Sequence, residues 1–284
     1  MVTSRPLGGP RSRTSRLLAL SIALTASLLA TLASSSAHAA TTGPYKPKWV
    51  QYSDLKNHVV YRPTTLPAGQ KLPVLVWGES GCIANGLIMQ GFLGEIASHG
   101  VIVIANGGAL QLGITNAAMG EASIDWAKKQ NALAGGEYDG KLLADRIIVS
   151  GHSCGGLEAY QIAAKRPEIA GTAIMNSGQL DVNQAQLDQQ KAPVLYVLGG
   201  EGDVAYSNGL RDYDKLPASL PTFLASDNNG HFGTYYGNAG GTYAKVLKDW
   251  ILYRATGNAA AASTFTNLAS PIWSSFKIVK KRNL

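Results

Sequence analysis

The chain has 284 residues, 45% of them hydrophobic and 15% charged, with a formal net charge of +7 and two cysteines. The positive charge belongs to the two ends: Arg5, Arg11, Arg13 and Arg16 lie near the start, and Lys277, Lys280, Lys281 and Arg282 lie near the finish. The body between them is close to neutral, which argues against a nucleic-acid partner, and two thiols with no nearby histidine pair do not make a zinc cage.

Residues 1–39 read as a secretory signal peptide. A basic start precedes the apolar stretch Leu17 to Leu32, and Ala37-His38-Ala39 is a small-x-small cleavage site. The apolar stretch is shorter than the roughly 20 residues that span a bilayer, so a secreted, extracellular protein with no stable membrane insertion is expected. The remaining chain is long enough for one domain with a full core, assigned here to residues 40–257.

Thr41 to Lys48 reads as an extended lead-in. Strands are expected at His58 to Tyr61, Val74 to Trp77, Val101 to Ala105, Arg146 to Val149, Ala173 to Met175, Val194 to Leu198 and Thr222 to Leu224. Helices are expected at Leu87 to His99, Asn116 to Leu133, Cys154 to Lys165 and Thr242 to Ala255. In the first of these helices Leu87, Ile88, Phe92, Leu93 and Ile96 recur at helical spacing and Gly100 stops the run, whereas Val101 to Ala105 is continuously apolar, as in a strand covered on both faces. Alternating strands and helices predict an α/β domain with a mostly parallel central sheet and helices on both faces. Residues 258–284 read as a C-terminal extension, docked or loose, whose basic end is a solvated terminus.

The stretch Val149-Ser150-Gly151-His152-Ser153-Cys154-Gly155-Gly156 comes after a strand and opens a helix. It reads as a G-x-S-x-G turn, in which the serine sits on a sharp strand-to-helix bend with its Oγ pushed outward. Ser153 is the candidate nucleophile. In α/β-hydrolases its partners come later in the chain in the order Asp or Glu, then His. His58 and His99 precede Ser153 and His152 is inside the turn, so His231, in a polar loop after the last expected strand, is the candidate base. The acid belongs on a loop after an intervening strand, and Asp203, after Val194 to Leu198, is preferred. Glu201 is its nearest rival, Asp181 fits a placement one strand earlier, and Asp227 is close to His231 but suited to capping its own turn. No metal or organic cofactor is implied. An oxyanion would take one backbone N–H from Cys154 and another from the early loop Gly78-Glu79-Ser80-Gly81-Cys82.

Four stretches, Leu93 to Ile104, Gly151 to Gly156, Glu201-Gly202-Asp203 and Gly230-His231, together resemble the dienelactone-hydrolase and polyester-hydrolase (cutinase-like) branch of the α/β-hydrolases over roughly residues 57 to 255. The resemblance implies an α/β-hydrolase fold, and no insertion between the expected strands and helices is large enough for a cap domain, so the site should be open. The resemblance also puts Cys82 at the second oxyanion-hole position, and two such nitrogens lie close together, so it implies a Cys82–Cys154 disulfide. The implied activity is cleavage of carboxylic esters through a Ser-His-Asp triad and an acyl-enzyme, with an open site suited to bulky or polymeric esters. Trp77, Tyr206, Phe232 and Tyr235 are candidate aromatic walls. The aromatic residue usual in the family's early loop is here Cys82, which counts against polyester or cutin activity. A monomer is expected. An acyltransferase or peptidase would use the same triad, and a non-catalytic binding protein would keep only the scaffold.

Overall fold

The computed structural model describes residues 41–284; the expected signal peptide lies outside them. The strands are β1 (Pro47–Val50), β2 (His58–Pro63), β3 (Val74–Gly78), β4 (Ile102–Asn106), β5 (Ile147–His152), β6 (Ile169–Met175), β7 (Val194–Leu198), β8 (Thr222–Ser226) and β9 (Ile278–Arg282). The helices are α1 (Gln90–Ser98), α2 (Ala117–Ala132), α3 (Cys154–Ala163), α4 (Gln184–Asp188), α5 (Tyr206–Lys215), α6 (Gly241–Ile251) and α7 (Ala259–Thr266).

All nine strands form one mixed, mostly parallel sheet in the order β1-β2-β4-β3-β5-β6-β7-β8-β9. The block from β4 to β8 is parallel, while β1 pairs antiparallel with β2, β2 with β4 and β9 with β8. Period-two alternation divides the central strands between two cores. Val74 and Val76 join a core that includes residues of α2 and α3, while Leu75 and Trp77 join one that includes residues of α1 and α6. Tyr196 and Val197 are divided in the same way on β7. Burial on both faces explains why these strands read as continuous apolar runs.

Between β4 and β5 the chain crosses over β3, so β3 and β5 become neighbours whose connections leave in opposite directions. Gly78 at the end of β3 pairs with Gly151 near the end of β5. Ligands of open α/β sheets bind in the crevice at the carboxyl ends of strands at such a switch point.

Two strands were not expected from the sequence. The lead-in contributes β1, and the basic tail contributes β9, which lies along the outer edge of β8. Lys277 N–H reaches the Ser226 carbonyl at 2.7 Å, Ile278 packs on one core and Val279 on the other. Lys280 and Lys281 face solvent on this edge strand, where charge discourages pairing with another chain. The extension is therefore docked: Phe265 and Trp273 are buried against Phe223, with ring centroids 5.2 and 4.9 Å from it. Among the described residues no helix is long and apolar enough to cross a membrane.

Candidate active site

Ser153 joins β5 to α3 with φ 54° and ψ −118°. For a residue with a Cβ this conformation costs about 1–3 kcal/mol and persists only where surrounding structure enforces it. The enforcement is close backbone packing. A Cβ at Gly155 would lie 2.0 Å from the Gly78 carbonyl oxygen, and one at Gly151 would lie 2.3 Å from the Gly155 carbonyl carbon. Only glycine lets the start of α3 settle against the ends of β3 and β5, which leaves the Ser153 hydroxyl at the switch point.

The loops after β7 and β8 bring Asp203 and His231 to that hydroxyl. His231 Nε2 is 2.9 Å from Ser153 Oγ, and His231 Nδ1 is 2.6 Å from Asp203 Oδ1. Asp203 is almost wholly buried. Its Oδ1 also accepts from Ala205 N–H at 2.9 Å, and its Oδ2 accepts from Gly199 N–H at 3.0 Å and Asn176 Nδ2 at 2.9 Å. Burial alone opposes the negative charge, but the donors from Ala205, His231, Gly199 and Asn176 outweigh it and hold the carboxyl below the usual range. A carboxylate kept ionised fixes the proton of the facing imidazole on Nδ1, which leaves Nε2 free to accept from the serine.

The alternative acids lie elsewhere. Glu201 and Asp181 are exposed. Asp227 caps its own turn, accepting from Asn229 N–H at 2.9 Å and from the Tyr243 hydroxyl at 2.8 Å.

Asn176, which carries no motif in the sequence, connects the two loops. It comes directly after β6 with φ 45°, a left-handed conformation that asparagine tolerates better than most residues. Its Nδ2 donates to Asp203 and to the Gly230 carbonyl at 3.1 Å, and its Oδ1 accepts from the Tyr235 hydroxyl at 2.7 Å. A polar residue directly after a buried strand was the available signal.

Cys82 and Cys154 form a disulfide with Cα atoms 5.3 Å apart. It ties the short 3₁₀ turn Ser80–Cys82 to the first residue of α3. The Cys154 N–H has no acceptor among the described residues, as expected at a helix start. The Cys82 N–H makes a 3.3 Å bond to Glu79 O within its turn. Glu79 itself is fully buried, and burial pushes its carboxyl well above the usual range.

The expected aromatic walls separate. Trp77 is wholly buried, 5.4 Å from Phe92 between ring centroids, and lines no substrate surface; it sits on a central strand with both faces covered. Tyr206 borders a surface hollow with Gly200, Glu201, Asp227 and Lys277 whose lining includes neither Ser153 nor His231. Tyr235 is buried, its hydroxyl spent on Asn176. Phe232 stands beside His231, with 5.6 Å between ring centroids, and is 57% exposed. Tyr236, not anticipated, extends that wall at 6.4 Å from Phe232.

Of the twelve large apolar side chains exposed among the described residues, nine lie on loops after parallel strands, at the end of the sheet that carries Ser153. Ile83, Leu110, Leu112 and Ile114 come after β3 and β4, Leu180 and Val182 after β6, Val204 after β7, and Phe232 and Tyr236 after β8.

Among the described residues no group of three or more His, Cys, Asp or Glu side chains is arranged to hold a metal. No protein-family model matches the chain, and no curated protein matches it.

Proposed function

We propose that this protein is an exported serine hydrolase of carboxylic esters, built on an α/β-hydrolase fold of the dienelactone-hydrolase and polyester-hydrolase type. The observation that carries the proposal is the hydrogen-bonded chain from Ser153 Oγ through His231 to buried Asp203, starting from a strained turn at the topological switch point. A disulfide fits an oxidising compartment, in keeping with export.

In the proposed reaction Ser153 Oγ attacks the ester carbonyl while His231 Nε2 takes its proton, and Asp203 stabilises the imidazolium. The oxyanion rests on the Cys154 N–H. The Cys82 N–H, which the family resemblance puts at the second position, is the other donor, exchanging its 3.3 Å bond to Glu79 O for the charged acceptor. The imidazolium returns its proton to the departing alkoxide oxygen, the alcohol leaves, and water activated by His231 releases the acid and restores Ser153. The apolar rim favours esters with bulky apolar acyl or alcohol parts over small charged metabolites.

A fluorophosphonate probe and a chain-length series of p-nitrophenyl esters test this. Wild type is expected to label on Ser153 and to turn over the apolar esters. Ser153→Ala is expected to lose the label and up to about 10⁶ of turnover while keeping its melting temperature. Folded wild type that takes no label would reject the proposal.

A further inference from the structure

We propose that Glu158 is a positioning residue that, through Thr115, holds the Cys82 turn against the nucleophile helix and so sets the spacing of the two oxyanion donors. The proposal rests on the esterase reading.

Glu158 lies on α3 four residues after Cys154, one helical turn further along the same face. Its carboxyl is buried and takes two hydrogen bonds. Oε1 accepts from Thr115 Oγ1 at 2.6 Å and Oε2 accepts from Asn106 Nδ2 at 2.8 Å. Thr115 in turn donates its backbone N–H to the Cys82 carbonyl at 2.7 Å. Asn106 is the last residue of β4, and Thr115 ends the loop after it. One carboxyl therefore connects α3, the end of β4, the loop 107–115 and, through Thr115, the Cys82 turn.

The disulfide joins the same two elements on the same face. The Cys82 turn is thus held to α3 twice, once covalently at Cys154 and once by hydrogen bonds at Glu158. The bond between sulfurs fixes the approach of the two side chains but leaves the peptide planes free to rotate. A hydrogen bond to the Cys82 carbonyl acts on the peptide unit next to the donor N–H, so it restrains orientation where the disulfide does not. An acid is an expensive residue to bury for packing alone, since a side chain of similar volume without charge avoids the desolvation cost. Burial does push the Glu158 carboxyl up, against the pull of Thr115 and Asn106. Donor orientation matters because the oxyanion contact is directional, and a displacement of about 1 Å is enough to lower turnover about 10²-fold.

The experiment compares Glu158→Gln, Glu158→Leu and Thr115→Val, each with the disulfide intact and in a Cys82→Ala/Cys154→Ala background. The readouts are kcat and KM on a p-nitrophenyl ester, the rate of fluorophosphonate labelling, and thermal unfolding. Glu158→Gln keeps the acceptor for Thr115, and a flip of the Asn106 amide presents Oδ1 to the new Nε2. It is expected to stay within about threefold of wild type. Glu158→Leu and Thr115→Val are expected to lower kcat and the labelling rate about 10- to 100-fold with KM within about twofold, and by a larger factor when the disulfide is absent. Thr115→Val keeps the N–H bond to Cys82 and nearly the shape of threonine, so it reads the relay even where Glu158→Leu fails to fold. Variants that melt earlier but keep wild-type kcat would overturn the proposal and leave the esterase reading standing. Glutamine as damaging as leucine would overturn it as well. Wild type that neither labels nor turns over would overturn both.

Discussion

His152 occupies the variable position before Ser153, yet its surroundings leave it little freedom. Its ring is wholly buried, with centroids 4.8 Å from His231, 4.8 Å from Tyr235 and 5.9 Å from Phe232. Nε2 is 2.7 Å from the His231 carbonyl oxygen, so Nε2 carries the proton and donates, bracing the loop that presents His231. Burial, chiefly, lowers its pKa from the ordinary 6.5 to about 4, although the bond to His231 and the charge of Asp203 pull the other way. An unfolded chain therefore binds a proton on His152 before the folded one does. The folded state loses stability as pH falls from about 6.5 towards 4, by about 3 kcal/mol at most, and the loss levels off below that. Urea unfolding as a function of pH checks this: wild type is expected to show that acid slope, and His152→Gln, a neutral donor, is expected to lack it.

The elements that matter most to the site are a 3₁₀ turn and the first turn of a helix, 72 residues apart in sequence at their linked cysteines. Closing a loop of that size contributes about 4 kcal/mol at most in the chain-entropy account. Alkylation of unreduced, denatured protein is expected to add no mass. Reduction and then alkylation is expected to add two groups and to lower the urea midpoint without removing helical ellipticity. Two alkyl groups on the unreduced protein would contradict the bond. Elements also differ in how well the sequence announces them. The long α2 and the apolar run that ends in β4 announced themselves by period and composition, whereas α4 spans only five residues and the stripe of α5 is narrow, Tyr206, Leu210 and Tyr213 in an otherwise polar run, so both are easily read as loop.

For the whole molecule, the C-terminal strand closes an edge. Removing residues 277–284 would strip β9 from Thr222–Ser226, leaving a fully buried strand paired with β7 alone and its other edge open. The truncated protein is expected to melt earlier and to self-associate at micromolar concentration, as measured by calorimetry and light scattering. A monodisperse truncation with the wild-type melting temperature would show that β9 adds nothing to the sheet.

Sequence alone was enough for what is local or ordered along the chain. Period and composition identify β2 to β8 and the helices α1, α2, α3 and α6, because burial on a strand or a helix face leaves an apolar pattern. Glycine spacing marks the turn at Ser153, since no other residue allows that backbone approach. The order of histidines after Ser153 singled out His231 and left Asp203 preferred over Glu201, Asp181 and Asp227; hydrogen bonds join Ser153, His231 and Asp203 in one chain. Tertiary structure decided the rest. Lys280 and Lys281 look solvated in sequence and are exposed, Lys281 Nζ donating to the Thr266 carbonyl, but the backbone between Ile278 and Arg282 is a strand because β8 has an open edge. Trp77 is as apolar as Phe232, and only the sheet's layering buries one and exposes the other. Asn176 shows in sequence only as a polar residue after an apolar strand, and Glu158 only as one acid on a helix; their hydrogen bonds join segments 27 to 59 residues apart, and such contacts exist only once the strands have found their order.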